Sequence, residues 1–111
     1  MQLEIQKFLY DILTSINSIE EFLGNRRDFK VYQSNKLLRR GIERELEIIG
    51  EAAGRILKLD PDIPIDNIRK IIDLRNLVIH GYDKVDDEII WSIISRHLPE
   101  FKRQVEELLA L

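Results

Sequence analysis

Residues 3–23, Leu3-Glu4-Ile5-Gln6-Lys7-Phe8-Leu9-Tyr10-Asp11-Ile12-Leu13-Thr14-Ser15-Ile16-Asn17-Ser18-Ile19-Glu20-Glu21-Phe22-Leu23, set the fold class. Their apolar positions, Ile5, Phe8, Leu9, Ile12, Ile16, Ile19 and Leu23, advance by threes and fours. That spacing lines one face of a 3.6-residue helix. Gly24-Asn25 is a C-terminal stop, and Asp28 is placed to cap the next segment. A short turn over residues 29–33 then leads into a second long helix with Ser34 or Asn35 as its N-cap. Leu38, Ile42, Leu46, Ile49, Ala53 and Ile56 form its buried stripe, which ends near Leu59.

Asp60-Pro61-Asp62-Ile63-Pro64 reads as a loop, because proline pushes the preceding residue into extended backbone. A third helix is expected over about residues 65–79, with Ile68, Ile71, Ile72 and Val78 inward, broken by Gly81. Asp86 or Asp87 starts a fourth helix through Ile89, Ile90, Ile93 and Ile94, which Pro99 kinks or divides before Phe101, Val105 and Leu108. No segment alternates as a strand does. Short connections between long helices favour antiparallel neighbours, so the expected fold is all-α: an up-and-down bundle of four to five helices in one domain over residues 1–111.

Composition narrows the function. The chain has 111 residues, 44% hydrophobic and 33% charged, which suits one compact domain that buries roughly 65% of its extended surface. The charges nearly cancel at a formal net −3, so bulk positive charge does not drive any nucleic-acid binding and contact with RNA needs a local patch. There is no cysteine, which excludes disulfides, thiolate metal sites and cysteine nucleophiles. The opening residues lack the basic start of a signal peptide, and no stretch reaches the ~20 apolar residues of a membrane span. The expected location is the cytoplasm, with no membrane partner.

One stretch carries chemistry: Arg75-Asn76-Leu77-Val78-Ile79-His80-Gly81-Tyr82. Arg75 offers a planar fork for phosphate oxygens and for charge developing in a transition state. His80 titrates near neutrality and can move protons; a helix C-terminus favours its protonated form. Asn76 lies four residues before His80, on the same helix face, and can orient the imidazole. Arg75 and His80 are five apart, about 140° around a regular helix. Both can meet one substrate only if His80 leaves helical geometry or a second subunit completes the site. Taken singly, each group also has an ordinary reading: Arg75 as a surface ion-pair residue, His80-Gly81 as a helix stop, Tyr82 as a loop anchor. Arg39, Arg40 and Arg44, with Arg26, Arg27 and Lys30, are the most basic part of the chain; they suit an RNA path or a solvated face offset by Glu43, Glu45 and Glu47. Glu47 and Glu51, four apart, either pair with Arg75 and support the site or are simply exposed carboxylates. His97 and Trp91 read as structural.

The stretch resembles the signature of the HEPN superfamily, specifically the HepT-like ribonuclease toxins: Arg, four to six residues, His, one residue, Tyr. The resemblance extends to residues 44–53 of the second helix, to Ile63-Pro64, to Val85-Asp86 followed by Ile90-Trp91, and to Leu98-Pro99-Glu100. Two positions depart: Ile65 where relatives often have Trp, and Asp83 where they are commonly aromatic. The resemblance implies a homodimer with the signature helices facing across a cleft, and metal-independent cleavage of RNA, not DNA, without a cofactor. Arg75 would stabilise phosphorane-like charge, His80 would transfer protons, and the RNA's 2′-OH would attack, leaving a 2′,3′-cyclic phosphate. It further implies a toxin–antitoxin pair in which a minimal nucleotidyltransferase antitoxin moves AMP onto Tyr82. The alternative is a non-catalytic helical partner that binds such a nucleotidyltransferase or presents a substrate to it.

Overall fold

A computed structural model describes residues 1–25, 27–80 and 87–110, the side chains of residues 79 and 80 aside. The described residues hold six α-helices and no strand: α1 (Leu3–Leu23), α2 (Phe29–Ser34), α3 (Lys36–Leu59), α4 (Ile68–His80), α5 (Asp87–Ser92) and α6 (Leu98–Ala110). A π-helical turn, Ile93–His97, joins α5 to α6. The all-α bundle expected from the periodicity is what forms. None of these helices is long and apolar enough to cross a membrane.

Each boundary has a local cause. Gly24 ends α1 in the left-handed region at φ 63°, and its N–H closes onto the Glu20 carbonyl. The Asp28 carboxylate accepts from the Lys30 N–H at 2.9 Å and starts α2, a six-residue helix where a short turn was expected. Asn35 both ends α2 and caps α3, its side-chain oxygen accepting from the Leu38 N–H at 3.0 Å. Such a cap satisfies one of the orphan donors of a helix start and stabilises it by about 1 kcal/mol.

The start of α4 corrects the sequence reading by three residues. Ile63 and Ile65 are buried as anchors of the connection, not as helix residues. Asn67 stands at φ 58°, a left-handed conformation no helix interior admits, and its carbonyl receives the N–H groups of Lys70 and Ile71. The α4 helix therefore begins at Ile68.

Pro99 does divide the fourth helical stretch. Proline has no N–H, and its ring crowds the carbonyl four residues back. The chain widens into the π turn just before it, with the Leu98 N–H reaching the Ile93 carbonyl five residues away. Ile90 and Ile94 stay buried in line with Leu98, Phe101, Val105 and Leu108, whereas Ile89 is exposed.

Helices α1, α3 and α4 pack antiparallel in turn. The Phe22 ring lies against Gly41 and the Phe8 ring near Arg55, so α1 and α3 run in opposite directions. Gly50 faces Arg75 while Gly54 faces Ile72, so α3 and α4 do the same. Helix α6 returns against α1, where Lys102 bonds Glu20 at 3.0 Å. Between them lies one core from all of these helices, including Leu9, Ile12, Ile42, Ile49, Ile56, Ile94 and Val105. Each such side chain contributes roughly 1.5–3 kcal/mol by leaving water. Trp91 packs between helices as expected, 5.4 Å from the buried Tyr32 ring and 5.9 Å from Phe29.

Candidate functional site

The site begins with a glycine. At Gly50, mid-way along α3, an added Cβ would lie 2.9 Å from the Arg75 Cβ, 3.0 Å from the Arg75 nitrogen and 3.2 Å from the Ile72 carbonyl. These are backbone and stem atoms that cannot swing aside. The absence of a side chain at Gly50 thus lets α4 approach α3 closely at Arg75. Residues 44–53 stood out in the sequence, but the role of Gly50 within them did not. A glycine inside a strongly periodic helix was the available signal.

Seated this way, Arg75 and its neighbour Asn76 are exposed. Arg75 makes no ion pair or side-chain hydrogen bond among the described residues, so its guanidinium is uncommitted. Both residues line an open groove of about 680 Å³ between the start of α1, the second half of α3 and α4. Arg55, Lys58 and Glu51 share that groove, with Phe8, Leu59 and Ile72 as its apolar walls and Gly50 and Gly54 on the α3 side. Arg55 reaches Glu51 at 3.4 Å, a long contact between two exposed side chains.

The pairing considered for Glu47 is not made. Its carboxylate bonds Arg44 at 3.2 Å, three residues earlier on α3, and Glu51 turns to Arg55. Neither acid bonds Arg75 among the described residues. Pairs at i,i+3 and i,i+4 on one helix form at little entropic cost, whereas reaching α4 requires bridging two helices. Glu47 therefore stands as a half-buried neighbour of the site helix, not as the Arg75 partner.

His80 is the last residue of α4. The helix continues to it, so the Arg75 and His80 positions keep their angular separation of about 140° and are about 7.5 Å apart along the axis. Its side chain and all of Tyr82 lie outside the described residues, as do Arg26, Asp83 and Asp86.

The basic end of α3 adjoins a crowded polar corner. Half-buried Glu43 has its pKa raised by burial, with Asp87 and Glu47 adding to the rise and Arg40 and Arg39 opposing it. The Tyr32 hydroxyl beside it is pushed well above the usual phenol range by burial, then by Asp87 and Glu43. It is buried with no hydrogen-bond partner among the described residues. Arg39 is engaged by the Gln33 carbonyl. The basic residues thus mix with carboxylates, and Arg44 is committed to Glu47.

Comparison with known proteins identifies the family. Residues 12–108 match the family described as ribonuclease HepT-like. A Methanocaldococcus jannaschii protein carrying the name putative RNase is 36% identical over 108 residues, covering 93% of this chain and 94% of that protein. A Thermococcus cleftensis protein named probable ribonuclease HepT is 33% identical over 105 residues, with 91% and 92% covered. A shorter match to the mRNA nuclease HepT of Shewanella oneidensis is 29% identical over 45 residues, 40% of this chain and 34% of that protein. No solved structure gives a significant match. With a family match over nearly its whole length and full-length relatives that agree with it, the chain belongs to the HepT-like ribonuclease family.

Proposed function

We propose that this protein is a metal-independent endoribonuclease whose composite site pairs Arg75 of one protomer with His80 of its partner. The observation that carries the reading is the exposed, uncommitted Arg75 held against Gly50 at the head of a groove, in a chain of this family. In the reaction the RNA's 2′-oxygen attacks the adjacent phosphorus while a base removes its proton. The bond from phosphorus to the 5′-oxygen breaks, and an acid protonates that oxygen. The products are a 2′,3′-cyclic phosphate and a free 5′-hydroxyl. Arg75 stabilises the extra charge on the phosphoryl oxygens. Acid and base are both needed, and one His80 per chain is one too few. The continuation of α4 to His80 supports a homodimer, since a single regular helix does not turn both positions to one face. Asn76, exposed beside Arg75, serves as a polar contact to substrate or to the imidazole.

Tyr82, two residues beyond the end of α4, is the proposed AMP acceptor. A partner nucleotidyltransferase would transfer AMP from ATP to the Tyr82 phenol oxygen, breaking the bond to the β-phosphate and releasing pyrophosphate and the phenol proton. The added phosphate would repel RNA and compete for Arg75. The protein would then be the toxin of a two-component system in the cytoplasm.

The test is cleavage of RNA in EDTA by wild type, Arg75→Ala and His80→Ala. Wild type is expected to leave 2′,3′-cyclic ends; Arg75→Ala falls about 10²–10³-fold and His80→Ala about 10²–10⁴-fold. Equal cleavage by all three, or none by wild type over a broad set of RNAs, overturns the reading. After co-expression with a nucleotidyltransferase, an AMP-sized mass increase that disappears in Tyr82→Phe supports the regulatory role, and one that persists refutes it. A strict monomer at micromolar concentration refutes the composite site.

A further inference from the structure

Gly54 has no packing reason to be glycine. Among the described residues, an added Cβ there would meet only the Ile72 Cγ2, at 3.9 Å, an ordinary contact. A glycine in a helix interior costs about 1 kcal/mol relative to alanine. Gly50, one turn earlier, is required by the approach of α4, and Gly54 is not. What Gly54 does border is the groove that Arg75 heads. Beyond it, toward the end of α3, lie Arg55 and Lys58. Lys58 is exposed with no ion pair among the described residues, and the Arg55–Glu51 contact is of the weak exposed kind. The half-buried Phe8 ring closes the wall within 5.8 Å of the Arg55 guanidinium. Glu4 and Glu51 also line the groove, leaving its formal charge positive by one against Arg55, Lys58 and Arg75.

We propose that this groove is a binding subsite for single-stranded RNA flanking the cleaved linkage, with Gly54 leaving the floor open to the strand and Arg55 and Lys58 taking its phosphates. The assignment rests on the ribonuclease reading for its substrate, and the groove itself specifies the form of that substrate. Arg75, Arg55 and Lys58 beside the half-buried Phe8 ring suit a flexible phosphate backbone. The near-zero net charge of the chain fits a short local contact better than an extended electrostatic path.

The experiment measures binding apart from cleavage. A fluorescent 2′-O-methyl RNA of about ten nucleotides, which lacks the attacking hydroxyl, is titrated by anisotropy against wild type, Gly54→Leu, Lys58→Glu and Lys70→Glu. Lys70 is exposed and lines a different cavity, on the α6 side of α4, so its reversal controls for net charge. Gly54→Leu, which improves helix propensity, is expected to melt no lower than wild type. Gly54→Leu and Lys58→Glu are expected to weaken binding at least about tenfold, and Lys70→Glu by less than about threefold. Equal losses in both charge reversals, no loss in Gly54→Leu, or a change of oligomeric mass in Gly54→Leu each overturn the subsite. Cleavage in EDTA by wild type and Arg75→Ala is run in parallel. Binding with the expected pattern but no cleavage sinks the chemistry and keeps the subsite. Cleavage that needs Arg75, with Gly54→Leu binding as wild type, keeps the chemistry and sinks the subsite.

Discussion

Helix α3 carries two stripes one residue out of step. Ile42, Leu46, Ile49, Ala53 and Ile56 are all fully buried. Glu43, Glu47, Gly50 and Gly54 follow each of the first four by a single position. They comprise two half-buried acids and two glycines. The first stripe fills volume, and the glycines of the second withhold it. A rotation of about 100° around one helix separates the part that holds the bundle together from the part that makes room for α4 and a groove. The site helix reflects the same division. Its inward residues, Ile68, Ile71, Leu74 and Val78, keep 5–9% of their surface in water, while Leu9, Ile12, Ile16 and Ile19 of α1 keep 0–1%. The inward side chains of α4 are less completely covered than those of α1.

Three substitutions test that contrast. Ile49→Ala strikes the filled stripe and should cost the most, about 2–5 kcal/mol by chemical denaturation, with α4 and α1 affected together. A loss below about 1 kcal/mol would mean that the stripe relaxes and the core is less continuous than it looks. Gly50→Ala should cost about 1–3 kcal/mol, since the new methyl meets backbone that must move. Its signature is a larger loss of RNA cleavage than stability explains, because Arg75 is displaced directly. Full activity in a folded Gly50→Ala protein would show that the close approach does not position Arg75. Glu43→Gln should have the smallest effect and the opposite sign. The folded-state pKa of Glu43 is raised, so its ionisation opposes folding as pH rises through that value. The neutral amide should therefore raise Tm at about pH 7, and the gain should vanish below about pH 4, where the glutamate is protonated in both states. A gain that is the same at both pH values would assign the effect to helix propensity instead.

Much of the fold was legible in the sequence because single stripes of apolar residues determined it. The boundaries of α1, and of α3 with its Asn35 cap, follow from local spacing and cap chemistry that need no partner. The start of α4 was not legible, because Ile63 and Ile65 continue its apolar pattern yet anchor a loop, and only the left-handed Asn67 separates them from the helix. The π turn was half legible: Pro99 announced a break, but not that the break would widen the helix before it and keep the buried line continuous. At the site, residue types pointed to Arg75 and Asn76, and both stand exposed on the groove. Spacing left the Glu47 pairing open between two readings, and Arg44, nearer in sequence, takes that carboxylate. Gly50 and Gly54 were missed because a glycine's meaning lies in what faces it, and that is a tertiary fact.

The clasp between Asp66 and Gln104 sets an order of assembly. The Asp66 N–H donates to the Gln104 side-chain oxygen at 2.8 Å, across 38 residues of chain, and the Gln104 amide bonds back to the Asp66 carboxylate. This clasp fixes the approach to α4 from a helix that the ribosome makes later. The α1–α3 hairpin can form as it emerges, since its two halves are already present. The clasp on the approach to α4 cannot close until α6 has been made, whereas the seating of Arg75 against Gly50 needs nothing beyond α3 and α4.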